Sequence, residues 1–511
     1  MERRPELLIS ACLIGAVVGW GLVAPESLAS VFNLALAALT RNFGWFYLWL
    51  VLGLVIVAVV LAFSRYGNLK LGGEDDEPDF SLGAWFSMLF AAGMGIGLVF
   101  WGVAEPISHY GVPPPGIAAQ TPEAANAAMR YSFFHWGVHP WAVYSVVALS
   151  IAFFQFRRGG AALVSTAVKT LPWAPVQRLG PLVDTLAVIA TAFGVAASLG
   201  MGALQINSGL NRIAGLPVGT WPQLGIIVVT TLIFVTSAVT GVERGIKWLS
   251  SFNIALAALL ALTVLVLGPT IVIIDTFTNT LGAYLSDFVR MSLRTTPFRD
   301  STWVGGWTIF YWAWWVSWAP FVGLFIARVS RGRTIREFIL GTVAVPALAA
   351  FVWFSVFGGT ALNFELARGL PIAEAVKTDV STALFTLFDA LPLGTLMSVV
   401  ATVLVLVFFV TSGDSATLVL GMMSTRGAEN PAAWVKVVWG TLVAGIAASL
   451  LLAGGLQAVQ TATIVFALPF AFVIVLLVVA LLRAIKDAWA EHERRERALR
   501  RKMQAMAEPP R

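Results

Sequence analysis

Apolar positions along this chain gather in runs of about twenty residues, and the runs recur from end to end. A helix rising about 1.5 Å per residue needs roughly that length to cross a hydrocarbon core of about 30 Å. The pattern predicts twelve spanning helices, at 9–29, 44–64, 80–105, 130–155, 181–209, 222–240, 251–274, 301–327, 336–357, 394–422, 434–453 and 459–484. Several exceed the minimum length, which predicts tilted or broken helices. The longer connections 275–300 and 358–393 mix apolar and polar positions and read as helices lying in the outer interface. After Leu482 the pattern turns to Arg, Glu, Lys and Ala with opposite charges three and four apart. Arg483 to Met503 is therefore predicted to be a charged helix projecting into the cytoplasm, either a solvated stop-transfer segment or a regulatory surface.

Composition agrees: 511 residues, 58% hydrophobic and 12% charged, describe one membrane domain rather than a soluble one. Charge adds orientation. With the N-terminus inside, 25 of the 33 Lys and Arg residues fall on the inner side, so both termini are predicted to be cytoplasmic. The isoelectric point near 9.6 then reflects topology and contact with anionic lipids, with no call for nucleic acid. The first span lacks a small-residue cleavage site and reads as a retained helix. A single cysteine, Cys12, excludes an intramolecular disulfide and a multi-cysteine metal site. No nucleophile–base set or phosphate loop is present, so an enzyme is not expected.

Four stretches carry candidate chemistry. From Phe310 to Phe321 the chain packs four tryptophans, and at about 100° per residue Tyr311, Trp314, Trp315 and Trp318 share one helix face. Such a wall suits a cation that donates no hydrogen bonds, a quaternary ammonium group above all, and also suits lipid-interface anchoring or packing. Ala91-Ala92-Gly93-Met94-Gly95-Ile96-Gly97 places a glycine at every second position in mid-span, where an opened backbone would line a binding site, unless the glycines serve close helix packing. In the tenth span Phe408, Thr411, Ser412 and Ser415 share a face, offering hard neutral oxygens to a small cation such as Na⁺; alternatively the hydroxyls bond back to their own helix. Asp184 and Asp414 are acids within or near spans. The fourth span brings Trp136, Trp141 and Tyr144, with Trp136 more than a turn from the other two, and its His135 and His139 share a face without an evident third metal ligand.

Together these stretches resemble the betaine/choline/carnitine transporter family from about residue 80 to residue 470. The match rests on Gly93 to Gly97, His135 to Tyr144, Tyr311 to Trp318, and Arg328 to Phe338. The resemblance implies an all-α integral membrane protein of 12 transmembrane helices, with a leucine-transporter-like core of two inverted five-helix repeats preceded by two N-terminal helices. On that plan 1–78 is the N-terminal segment, 79–275 the first repeat, 276–300 an interfacial helix, 301–484 the second repeat, and 485–511 a charged cytoplasmic tail.

By the same resemblance Trp136, Trp141, Tyr144 and Trp315 would box the trimethylammonium group, with Trp318 on the access path. The substrate carboxylate would meet the opened backbone at Gly93, Met94, Gly95 and Gly97. A coupling sodium ion would bind backbone oxygens of Ala91 and Met94, Phe408, and the hydroxyls of Thr411 and Ser412. A second sodium position would fall at Thr191 and Phe321, but Val195 stands where sodium-coupled relatives carry a second threonine, which removes a ligand. Sodium-independent antiporters of the family place an arginine in the seventh span, and here no Lys or Arg lies between Lys247 and Arg290. The expectation is a secondary active transporter in the cell (inner) membrane, a homotrimer, importing glycine betaine or a related compatible solute by sodium-coupled symport with alternating access. The alternatives are sodium-independent or proton-coupled transport of choline, carnitine or a sulfonium osmolyte such as dimethylsulfoniopropionate, and, in another class, a channel or osmotic sensor.

Overall fold

In lipid a spanning segment must satisfy its own backbone N–H and C=O groups, and helix is the state that does so. The computed structural model describes residues 5–93, 95–241, 243–298 and 302–507, and these are helical almost throughout, with no strand longer than an isolated bridge between Lys70 and Thr334. Ten of the described helices are long and apolar enough to cross a membrane.

Helices α1 (Pro5–Val23) and α2 (Pro25–Phe63) are separated by Ala24 alone. The predicted connection at 30–43 is therefore helical, because it is rich in alanine and leucine and Pro25 is the only breaker nearby. The predicted third span is two helices, α3 (Leu82–Gly93) and α4 (Ile96–Gly111), each too short to cross alone. The predicted fourth is also broken, into α5 (Pro122–Trp136) and α6 (Val138–Ala152) at Gly137. Short α7 (Val164–Val168) and α8 (Ala174–Gln177) lead into α9 (Gly180–Ala214), followed by α10 (Thr220–Thr240) and α11 (Glu243–Leu267). Gly268-Pro269 ends α11 earlier than predicted, so α12 (Thr270–Ser286) and α13 (Phe288–Ser292) occupy the segment expected in the interface. Next come α14 (Phe310–Arg328) and α15 (Ile335–Arg368). A Thr334–Glu337 capping box starts α15 and Gly369 ends it, carrying it eleven residues past the predicted boundary. Helices α16 (Ile372–Thr378) and α17 (Ala383–Asp389) fill the rest of that connection before α18 (Gly394–Ser424). The last two predicted spans are two helical stretches of α19 (Ala433–Ala507), separated where Gly454 (φ 160°, ψ 22°) and Gly455 (φ 61°, ψ −137°) leave helical geometry.

Helix α9 is buried almost throughout from Val183 to Gly209, which puts it at the centre, against α14, α18 and α19. Lipid chains are as apolar as leucine, so close contact must hold such helices together. Gly194 and Gly202 supply it: a methyl on Gly194 would lie 2.5 Å from Ser317 Oγ, and one on Gly202 2.9 Å from Phe409 Cδ2. Outer faces of α10 and α11 expose Leu232, Val229, Leu262 and Val266, as lipid contact requires.

On the side that carries the tail, the chain at 69–71 pairs with 332–335, through Leu71 N–H to Arg333 O, Gly332 N–H to Leu71 O and Ile335 N–H to Leu69 O, each 2.8 Å. The tail does not project freely from Arg483. Its first turns dock on the loops after α2 and α6 through Arg65–Glu493 (3.4 Å), Arg158–Glu491 (3.2 Å) and Glu74–His492 (3.5 Å), and from Arg494 onward the described side chains are all exposed.

Candidate functional site: an aromatic box beside a broken helix

The chain leaves helical geometry at Gly95, with φ −159° and ψ −178°, and a methyl placed there would meet nothing within 4 Å. One residue into α4, Gly97 is the opposite case. Its methyl would lie 2.6 Å from Trp314 Cη2 and 3.1 Å from Trp136 Cη2, so glycine is what lets the opened segment lie against indole rings.

Trp136 is the last residue of α5, and Gly137 turns the chain (φ −91°, ψ −129°) before α6 carries Trp141 and Tyr144 inward. Trp315 of α14 completes the group. Ring centroids are 4.9 Å apart for Trp136–Trp315, 6.1 Å for Tyr144–Trp315 and 5.3 Å for Trp141–Tyr144, all edge to face. Four rings predicted from separate stretches thus form one buried cluster, which the break at Gly137 makes possible in place of the continuous helix expected there. Trp315 is fixed by its N–H, which donates to His135 O at 2.9 Å, and by Trp314 stacked 4.9 Å behind it. Trp318 stands apart: its ring meets Phe321 at 5.2 Å, one turn further along α14. Trp312 faces away and stacks on His139 at 5.3 Å, as structural packing.

One residue of this site was missed. Glu105 is fully buried, and four polar groups converge on its carboxyl: His109 Nε2 (3.1 Å) and His135 Nδ1 (2.7 Å) at Oε1, and the Trp136 indole N–H (2.8 Å) and the Tyr311 hydroxyl (2.5 Å), which donate to Oε2. The signal was available, since an acid inside an apolar run is a functional candidate. The predicted third span stops at Glu105, whereas α4 continues through Pro106 to Gly111 and encloses it. His135 and His139 form no common site: His135 Nε2 meets Thr308 Oγ1 at 3.0 Å, and His139 Nε2 meets Ser292 Oγ at 2.8 Å.

Among the sodium candidates, Met94 lies outside the described residues, and of Ala91, as of the substrate candidate Gly93, only the helical backbone is described. Phe408 is buried, and Ser412 is half-buried. Thr411 donates its hydroxyl to Val407 O (2.9 Å) and Phe408 O (3.3 Å), the back-bonding weighed above, which still leaves the oxygen's lone pairs free for a cation. Thr191 is buried with no hydrogen-bond partner for Oγ1, while Val195 is buried hydrocarbon.

Comparison with known families decides the class. The model of the BCCT family, betaine/carnitine/choline family transporters, matches residues 6–490. The chain belongs to this family. It is 46% identical over 492 residues to "Glycine betaine transporter OpuD" of Bacillus subtilis, covering 96% of each chain. It is 45% identical over 484 residues to an "Ectoine/hydroxyectoine transporter" of Virgibacillus pantothenticus, covering 94% of this chain and 96% of that one. A "Probable glycine betaine transporter" of Desulfitobacterium hafniense is 42% identical over 490 residues, at 95% and 98% coverage. The protein is thus a multi-pass membrane transporter and not an enzyme.

In this transporter the two acids singled out in the sequence, Asp184 and Asp414, sit away from the aromatic cluster. Asp184 Oδ1 accepts the Ser165 N–H at 3.0 Å and so fixes the start of α7. Asp414 lies near Lys436, whose ammonium donates to Ala238 O (3.1 Å) and Asn430 Oδ1 (3.0 Å) where α10, α18 and α19 meet.

Proposed function

We propose that this transporter imports a zwitterionic quaternary ammonium solute, glycine betaine before others, by sodium-coupled symport. The observation that carries the reading is the cluster of Trp136, Trp141, Tyr144 and Trp315 beside the helix break at Gly95. Ring faces attract an onium group that water solvates poorly, and free backbone N–H groups at a helix break suit a carboxylate. The two ends of a betaine therefore have complementary partners side by side, since Gly97 of the opened segment lies against Trp136. The printed names of two relatives as glycine betaine transporters support the same substrate.

Sodium would sit between α3 and α18, on Ala91, Met94, Phe408, Thr411 and Ser412, and stabilise the opened helix. Substrate in the box then permits rocking of two inverted repeats, the alternating-access step. Thr191 and Phe321 offer fewer oxygens for a second ion. The protein would work in the cell membrane as a homotrimer with both termini cytoplasmic. A second reading has its own support, since one relative carries the name of an ectoine transporter at 45% identity. A delocalised ring cation with a carboxylate presents a similar charge pair.

Uptake of labelled glycine betaine into proteoliposomes, with and without an inward sodium gradient, tests the proposal. Saturable uptake that requires sodium, and that Trp315→Ala abolishes, is the expected result. Sodium-independent exchange refutes symport; uptake of labelled ectoine where labelled betaine is not taken up moves the substrate.

A further inference from the structure

Burying a carboxylate at membrane depth is costly, and Glu105 has neither lysine nor arginine as an ion-pair partner among the described residues. Its location says what it can do. Trp136 presents its N–H edge to Glu105 Oε2 and the far edge of its ring toward Gly97, so this indole is wedged between the carboxylate and the opened helix. Tyr311, the other donor to Oε2, stacks on Trp315 with centroids 5.7 Å apart. Two rings at the box are therefore tied directly to one buried carboxylate.

We propose that Glu105 is the counter-charge of the aromatic box, a specificity-determining residue that makes the box prefer a cationic head group to a neutral one of the same shape. The inference rests on the reading that the box holds an onium group. Indole N–H is a donor only, so Oε2 must accept, and four donors around two oxygens suit an ionised, acceptor-only carboxylate. A neutral His135 completes the set, donating through Nδ1 and accepting the Thr308 hydroxyl at Nε2. The negative charge is thus held in place with no lysine or arginine against it among the described residues. It acts twice on a cation in the box: directly across the width of one ring, and through Trp136 and Tyr311, whose hydrogen bonds to an anion push electron density into their rings. Glu105, His109 and His135 are close enough to hold a metal ion. Both histidine nitrogens already converge on one oxygen, however, and the other oxygen is taken by Trp136 and Tyr311.

The test compares glycine betaine with 3,3-dimethylbutanoate, in which carbon replaces the charged nitrogen, by tryptophan-fluorescence titration of the full-length transporter in nanodiscs. The Glu105→Gln variant keeps the side chain's shape and removes its charge. We expect the preference for betaine over the carbon isostere to fall about tenfold, the order for one charge roughly a ring's width away in a medium of intermediate dielectric, with isostere affinity unchanged. Equal weakening of both ligands would mean a packing role alone and would overturn the proposal, as would an unchanged preference. Should the variant not accumulate, because its amide NH₂ faces the indole N–H, Trp136→Phe and Trp136→Phe/Glu105→Gln are compared with each other and the same ratio is read. A wild type that binds neither ligand, or both equally, overturns the onium reading of the box before any variant is made.

Discussion

Gly97→Ala adds one methyl at the point where the broken helix meets the box. That methyl would start 2.6 Å from Trp314 Cη2, against 3.4 Å or more for ordinary contact, so the ring must retreat by about 1 Å. Trp314 is 2% exposed and stacks 4.9 Å from Trp315, and therefore passes the displacement to the box. Overpacking of this kind costs about 1–3 kcal/mol, while alanine in a helix gains up to about 1 kcal/mol over glycine, so the clash wins. Felt in the substrate-bound state, the net cost raises the half-saturating betaine concentration roughly fivefold or more. Gly111→Ala at the other end of α4 is the control, because a methyl there meets nothing within 4 Å and only the propensity gain remains. Initial uptake rates in proteoliposomes, with thermal melting to confirm folding, measure both variants. A saturation curve for Gly97→Ala that superimposes on wild type would refute the claim that this glycine sets the distance between helix and box.

Thr411→Val should raise the sodium concentration needed for half-maximal uptake about tenfold with little change in folding, because it swaps one oxygen ligand for a methyl; an unmoved sodium curve removes Thr411 from the site. Gly332 holds φ at +78°, and a methyl there would lie 2.2 Å from Glu77 O, so Gly332→Ala should destabilise the pairing of 69–71 with 332–335 by about 1–3 kcal/mol. A melting temperature equal to wild type contradicts that. Burial pushes Glu74 up, but the hydrogen bond and charge of Arg157, with help from His492, outweigh it and hold the carboxyl below its ordinary 4.5. A carboxyl lowered in the folded state stabilises it above the ordinary value and loses that contribution as pH falls through the lowered one. Tail docking should therefore persist at neutral pH and loosen below about pH 4.5, as protease cleavage after Arg494 would report; cleavage that does not change with pH speaks against the contact.

Much of this protein was written in short-range pattern. Twenty-residue apolar runs in lipid admit helix only, so the all-α class followed from hydropathy, and glycines at 93, 95 and 97 marked where a helix would open. The box residues were likewise legible, because aromatic side chains at fixed spacing stand out against Val, Leu and Ala. Pattern failed where one residue decides a boundary. Nothing about Gly137 distinguishes it locally from the packing glycines of α9, yet a methyl there would lie 2.5 Å from Phe133 O and 2.6 Å from Phe351 Cε1, and the turn it permits brings Trp136 to Trp315.

Tertiary structure alone decided the role of Glu105. His109 stands four residues away, but the other three partners come from 30, 31 and 206 residues away, whereas helical periodicity relates only side chains three or four apart. A lone acid in an apolar run says that a partner must exist in the membrane, since an unpaired charge there is too costly to keep. Which side chains answer it depends on how α4, α5 and α14 pack, because burial and hydrogen bonding are settled between helices and not along one.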